Sequence, residues 1–471
     1  MNREMWIPIS VLAGVIVAIG ALVFLGKAEE SGVSATAPAT QAPAKAKVKA
    51  KGKMKETQLV HKTDWDADRA AAPDGAPNVI LMIVNAMRKD QLTPYGGDAA
   101  VTPHLDAFAK GGALFTQHIA TAPWNKPAVA SMLTGHHAAS LGLVQPSVDA
   151  NERRLAEAVN ILPERLQEKG WYTVGVTANF NLNMATGLAQ GFDIYRDSVP
   201  MSFAPQGRLH AKGAVPKLLK FIDARPEEAK ARPVYAQVML VDAHKPLMVK
   251  PDEFRPFEGE DHTIAPYRAV MHRVDSAFKQ LMDGLAERGM TTENTVVMVI
   301  ADHGEGLNMP QHHGKQHGRT LYRSVIEAPW MVAGPGVKKG ARVTGLSSHV
   351  DVMPTVLSLA GLSVEDESMP GRDLSAALKS GGATGRDKAY VDTWYFAANH
   401  AAVYTDGKVC QKDFGTPAGV KIPTGCYETD TDPDGKNVWE AADDDLMKEL
   451  DAWRGERVSE YEAWPELADV E

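Results

Sequence analysis

From Pro77 onward, short apolar runs alternate with amphipathic stretches. The run Val79-Ile-Leu-Met-Ile-Val84 has no polar interruption and reads as a strand buried on both faces. Leu162 to Lys169 reads as a helix, with Pro163 in its first turn and Gly170 as its stop. Tyr172–Thr177 and Val234–Val241 read as the second and third strands. Tyr267–Arg288 is a long amphipathic helix with Val270, Val274, Phe278, Leu281 and Leu285 on one face. Thr295–Ile300 is a fourth strand and Trp330–Val332 a fifth. Strands alternating with helices predict an α/β fold, with a mostly parallel central sheet covered by helices on both faces.

Two segments before this pattern differ from it. Trp6 to Leu25 is apolar and uncharged throughout, and about 20 residues at 1.5 Å each span a bilayer core. Residues 1–27 are read as an uncleaved membrane anchor. A cleavable signal peptide is the competing reading, but its apolar core is ordinarily shorter and Gly26-Lys27-Ala28 matches A-x-A poorly. Residues 28–76 are rich in Ala, Pro and Lys without apolar periodicity, which describes a linker. Its alternating lysines, Lys45 to Lys55, suit a solvated spacer or a patch touching anionic lipid or polymer. The expected location is the cell membrane, single-pass, with the folded domain on the extracytoplasmic side.

The chain has 471 residues, of which 44% are hydrophobic and 23% charged, too apolar for a disordered protein. Its net charge of −9 argues against a nucleic-acid partner. Cys410 and Cys426 are the only cysteines, too few for a disulfide framework and not spaced for zinc.

In doubly wound sheets ligands bind beyond the carboxyl ends of the strands. After the first strand come Asn85 and Ala86; after the second, Asn179; after the third, Asp242 and His244; after the fourth, Asp302 and His303. A single polar residue at a strand end is ordinarily a loop cap. Four such ends together predict a site.

Five blocks then carry a resemblance: APNVILMIVNAMRKDQLTPYGG, TPHLDAFAKGGALFTQHIATAPWNKPAVASMLTG, ADHGEGLN, HGRTLY and HVDVMPTVLSLAGL. In order and spacing, from about Pro77 to Leu378, the chain resembles the sulfatase family of the alkaline phosphatase superfamily. The style is similar to the branch that includes phosphoglycerol and phosphoethanolamine transferases. The resemblance implies one divalent metal ion (Ca²⁺, Mg²⁺, Mn²⁺ or Zn²⁺) held by carboxylates at strand ends. It also implies a nucleophile at a helix N-terminus, where metal and helix dipole stabilise the charge on a transferred sulfate or phosphate.

Carried over residue by residue, the acidic metal ligand falls on Asn85 and its acidic neighbour on Ala86. The nucleophile falls on Asn125. The Ser and the cationic residue that follow the proline fall on Ala128 and Val129. The metal pair Asp302 and His303 is kept, as are the ester-binding His244 and His317. The Lys and His that arylsulfatases carry near the second strand have no counterpart, with Asn179 in that region. An amide is no nucleophile, and one carboxylate binds hard cations weakly. His303, His244, His312, His313 and His317 favour zinc instead, or are histidines without metal. The geometry expected is convergence of Asn85, Asn125, His244, Asp302, His303 and His317. Asn125 should start a helix and face Asn85 across a metal- or water-sized space, and Val129 should leave the pocket less positive.

Residues 77–384 are thus read as a sulfatase-like α/β domain and 385–471 as a C-terminal subdomain. In the latter, Ala389–Asp392, Ala402–Tyr404 and Cys426–Glu428 form a small antiparallel sheet. Asp430–Gly435 resembles a family turn block. Cys410 and Cys426 would be neighbours if they flank a hairpin, and an exported location would allow the bond. The leading functional expectation is a catalytically impaired relative that keeps part of its site to bind an anionic ester, or an envelope glycan or lipid. A hydrolase or transferase with a non-standard nucleophile, such as metal-bound water, and a purely structural envelope component are the alternatives.

Overall fold

In the computed structural model β2 (Asn78–Val84) is the middle of the main sheet, hydrogen-bonded in parallel to β6 (Val234–Leu240) on one side and β7 (Thr295–Ala301) on the other. Its apolar run is buried on both faces, and its pleat sorts the side chains into two layers. Ile80, Met82 and Val84 pack with α4 (Ala211–Asp223) and α5 (Ala265–Ala286). Val79, Leu81 and Ile83 pack with α2 (Asn125–Thr134), α3 (Leu162–Glu168) and α6 (Val352–Leu359). Helices therefore cover both faces, as the unbroken apolar strands require.

The structure describes residues 59–61, 69–98, 101–143, 154–197, 209–307, 317–364, 368–395, 398–416, 422–432, 435 and 443–462. The apolar run Trp6–Leu25, the lysines of the linker, His312, His313 and part of the Asp430–Gly435 block lie outside the described residues. Among the described residues no helix is long and apolar enough to cross a membrane.

The remaining strands are β1 (Leu59–His61), β3 (Ala113–Ile119), β4 (Tyr172–Thr177), β5 (Ile194–Asp197), β8 (Trp330–Ala333) and β9 (Ala341–Ser348). The sheet order is β1-β5-β4-β6-β2-β7-β8-β3-β9. The sheet is mixed: β8 runs antiparallel to both β7 and β3, and β1 antiparallel to β5. Phe115 of β3 stacks on Trp330 of β8, with ring centroids 4.0 Å apart, which fixes this antiparallel pair. Strands β3, β5 and β9 escape a reading by apolar runs. In β3 the half-buried Thr116 and Gln117 interrupt the run, and the register with β9 shifts between Phe115 and Gln117.

A second sheet of four antiparallel strands follows: β10 (Lys388–Thr393), β11 (His400–Thr405), β12 (Lys408–Asp413) and β13 (Gly425–Glu428). Cys410 and Cys426 face each other across β12 and β13 and form a disulfide. The final helix, α8 (Asp444–Glu462), lays Trp453 on the Tyr390 ring with centroids 4.8 Å apart. The two sheets meet through a buried apolar cluster that includes Ile119, Leu346, Val391 and Tyr404, with a polar pair beside it. Asp351, fully buried at the entry to α6, accepts from the Ser348 and Arg372 amides at 2.8 Å each and pairs with Arg386.

Candidate functional site at the carboxyl edge of the sheet

The chain leaves β2 through a strained turn. Ala86 has a φ of 59°, unusual for a residue with a Cβ. The turn is clamped from α5: Tyr267 donates its hydroxyl to the Ala86 carbonyl at 2.8 Å and accepts from the Arg88 amide at 2.7 Å. The clamp aims the Ala86 amide at Asp302 Oδ1, 3.0 Å away at the end of β7. The His303 amide donates to the same oxygen at 2.8 Å. Asn85 Nδ2 donates to the other oxygen, Oδ2, at 2.8 Å. Asn85, Asp302 and His303 are fully buried. Burial raises the Asp302 carboxyl to about 7, against which the Ala86 and His303 amides pull down only partly.

His303 follows directly. Its Nδ1 lies 2.7 Å from the Gly304 carbonyl, which can only accept, so the proton sits on Nδ1 and Nε2 is the acceptor nitrogen. That Nε2 is 3.6 Å from Asp302 Oδ2. Burial, reinforced by His317, holds the His303 imidazole far below its ordinary range, so it is neutral. Gly304 is required here, because a Cβ would meet the Ser324 carbonyl oxygen at 2.0 Å.

Three imidazoles are packed in series. The His303 and His317 rings are 4.6 Å apart, and the His317 and His244 rings 4.8 Å. His317 Nδ1 lies 3.0 Å from Glu305 Oε2, and His244 Nδ1 lies 2.5 Å from the Lys245 carbonyl. Burial alone would raise the fully buried Glu305 carboxyl, but His317 and His244 outweigh it and hold the group below its usual value. Glu305 went unread in the sequence, although it stands two positions past His303 in the same block; an acidic residue near a kept histidine was the available signal.

Asn125 opens α2, with Trp124 as its N-cap and Pro127 in the first turn. The link to the histidines is short: the Gly318 amide, next to His317, donates to the Pro123 carbonyl at 2.8 Å. Asn125 was expected to face Asn85, but the hydrogen bonds of its amide oxygen go to other groups. Its Oδ1 accepts from Asn181 Nδ2 at 2.7 Å and from the Lys126 amide at 2.9 Å. Asn179 shapes that loop, its Oδ1 accepting from the Asn181 amide at 2.9 Å. Ala128 and Val129 are buried in α2. Lys126, only 4% exposed, sits in the first turn with Nζ 6.0 Å from the Trp124 ring centroid. Lys126 and Asn181 were missed because each is unremarkable outside the folded loop. Asp242 is structural: it accepts from the Ala211 amide at 2.8 Å at the start of α4 and pairs with Arg273 at 3.1 Å.

The donor set does not fit a resident divalent cation. Among the described residues Asp302 is the one carboxylate in contact with Asn85 and His303, and three N–H groups already bind its oxygens. Asn85 presents its NH₂ to that carboxylate, where the resemblance implied an oxygen ligand. Two neutral acceptors, Asn85 Oδ1 and His303 Nε2, remain buried without a partner. Hard cations are held mainly by anionic oxygens. Among the described residues no group of three His, Cys, Asp or Glu stands close enough to hold a metal ion.

The sequence matches the Sulfatase family model over residues 77–362. It is 25% identical over 370 residues to N-acetylgalactosamine-6-sulfatase of Canis lupus familiaris, covering 68% of this chain and 69% of that one. It is also 25% identical over 416 residues to the arylsulfatase of Klebsiella aerogenes, covering 62% and 88%. Among solved structures, a protein in complex with its substrate D-glucosamine-2-N,6-O-disulfate superposes with a TM-score of 0.66 at 17% identity, covering 84% of this chain and 100% of that one. The phosphonate monoester hydrolase of Agrobacterium radiobacter gives 0.63 at 17%, covering 82% and 95%. With its mixed sheet, small antiparallel second sheet and family match over more than half its length, the chain belongs to the sulfatase family, within the alkaline phosphatase superfamily.

Proposed function

We propose that this protein binds an anionic sulfuric or phosphoric ester of a glycan or lipid without cleaving it, from a position tethered to the outer face of a membrane. The carrying observation is Asn125 at the first position of α2, its amide oxygen held by Asn181 and the Lys126 amide. An amide there has no nucleophilic atom, and the hydrogen bonds to Asn181 and Lys126 leave it fixed rather than poised. What remains suits recognition: a buried Lys126 in the first turn of α2, and the packed His317 and His244 rings, joined to the start of that helix by the Gly318–Pro123 backbone hydrogen bond. Relatives that act on sulfate esters, and a neighbour solved with a disulfated sugar, support the ligand class. The test is a pair of assays on the full chain. Calorimetry should find binding of a sulfated or phosphorylated saccharide that weakens in Lys126→Ala and His244→Ala, while turnover stays at background. No binding of any such ester would reject this reading.

A second reading has its own observation. The Glu305–His317 hydrogen bond of 3.0 Å is a carboxylate–imidazole pair of the kind that activates water or a hydroxyl. Slow hydrolysis abolished by Glu305→Gln would favour it. The tether rests on the Trp6–Leu25 run, and a reporter fused after Glu471 should be active only as an exported enzyme.

A further inference from the structure

We infer that Asn85 is a built-in replacement for the metal ion: its side-chain NH₂ occupies the role of the cation, so that this sulfatase fold is stable without one. Asp302 is fully buried, and a buried carboxylate requires donors or a cation. Oδ1 receives two backbone N–H groups, from Ala86 and His303, at 3.0 and 2.8 Å. Oδ2 receives Asn85 Nδ2 at 2.8 Å. Those three donors give each Asp302 oxygen a hydrogen-bond partner without an ion.

Which end of the Asn85 amide faces Asp302 is decided by chemistry. If Asn85 were flipped, its carbonyl oxygen would stand 2.8 Å from a carboxylate oxygen with nothing between them. Two acceptors at that separation repel unless a cation or a proton bridges them, whereas the NH₂-inward orientation needs neither. The NH₂-inward orientation is therefore the metal-free arrangement, and a metal-bound arrangement would require the opposite one. An aspartate at position 85 could not make this bond. It would place two carboxylates in contact in a fully buried setting and create a demand for a cation. One atom, N in place of O⁻, separates a fold that needs no metal from one that does. The turn clamp from Tyr267 keeps the Ala86 amide on Asp302 independently of any ion.

This inference rests on the family reading of the strand-end cluster, not on the absence of turnover. Turnover without metal would sink the proposed function and leave it standing. A metal requirement would sink the inference and leave ester binding open. The experiment uses the full chain in detergent, with elemental analysis and thermal melts in EDTA and in millimolar Ca²⁺, Mg²⁺, Mn²⁺ or Zn²⁺. The wild type should carry substoichiometric metal and melt at one temperature in all conditions. Asn85→Asp should melt several degrees lower in EDTA and regain that loss with one of the ions. Asn85→Ala should melt lower in every condition, with no ion restoring it. A wild type that carries about one ion per chain (roughly the occupancy of a structural site), or that loses several degrees in EDTA, overturns the inference even if the Asn85→Asp protein fails to fold. An Asn85→Asp protein as stable in EDTA as the wild type overturns it as well.

Discussion

Asn181 Nδ2 donates to Asn125 Oδ1 at 2.7 Å, so the first side chain of α2 is tied to a loop 56 positions further along. The tie has two consequences, for chemistry and for stability. Restoring a hydroxyl or thiol at position 125 does not restore the rest of a reacting centre, because Asn85, Ala86, Ala128 and Val129 are unchanged. Asn125→Ser and Asn125→Cys are expected to stay at background turnover on aryl sulfates. Asn125→Ala should also cost about 1 kcal/mol of stability, because Asn181 and the Lys126 amide each lose an acceptor. Denaturant melts and a chromogenic assay check both points; turnover in the serine variant would show that the site needs only a nucleophile.

The Cys410–Cys426 bond closes a loop of 16 positions across adjacent strands. In the chain-entropy model such a loop contributes roughly 3 kcal/mol. Replacing both cysteines by serine, or adding a reductant, should lower the melting temperature by a similar amount in each case. Equal melting of oxidised and reduced protein would remove the cross-link from the stability account.

Asp351 is fully buried and pairs with Arg386 while accepting two backbone amides. Asp351→Ala leaves two amides without their acceptor and the largely buried Arg386 guanidinium with no counter-charge, its remaining bond being to the Pro370 carbonyl. A loss of roughly 3–5 kcal/mol is expected in urea melts. The double variant Asp351→Leu with Arg386→Met should recover part of it. A loss below about 1 kcal/mol would place the pair among exposed, screened ones.

Burial pushes the His137 and His349 imidazoles from 6.5 down to about 3. The unfolded chain takes up a proton at each near pH 6.5, whereas the folded chain does so only near pH 3. Their contribution is complete above pH 6.5 and is lost as pH falls from there toward 3, by about 1.4 kcal/mol per pH unit for each group. Asp302 acts in the opposite sense. Its folded value of about 7 lies above 3.8, so its contribution falls as pH rises through that window. His137→Phe keeps an aromatic ring against Trp453, where the present ring centroids are 5.1 Å apart. It should flatten the stability profile between pH 6 and 4. An unchanged slope would mean that His137 is protonated in the folded protein.

The central strands were legible because they are buried on both faces. Runs such as Val79–Val84 and Thr295–Ile300 match β2 and β7 to within one residue at either end. Helix α2 was not legible by periodicity, since all ten of its residues are buried and no polar stripe exists to read. Its start at Asn125 came from the family resemblance instead. Strand β8 was readable as a strand but not as antiparallel, because direction depends on its partners rather than on its own residues. The roles of Asn181, Glu305 and Lys126 depend on which loops meet, and a linear pattern of apolar and polar residues does not record that.

The central claim, a sulfatase fold that binds an ester without cleaving it, is tested most directly by turnover of the purified full chain. Aryl sulfate, a phosphomonoester and a phosphodiester would each be assayed with and without added divalent metal, beside an Asp302→Ala control. The account predicts the same background rate for wild type and control on all three substrates. Metal-dependent turnover by the wild type that disappears in Asp302→Ala would contradict it.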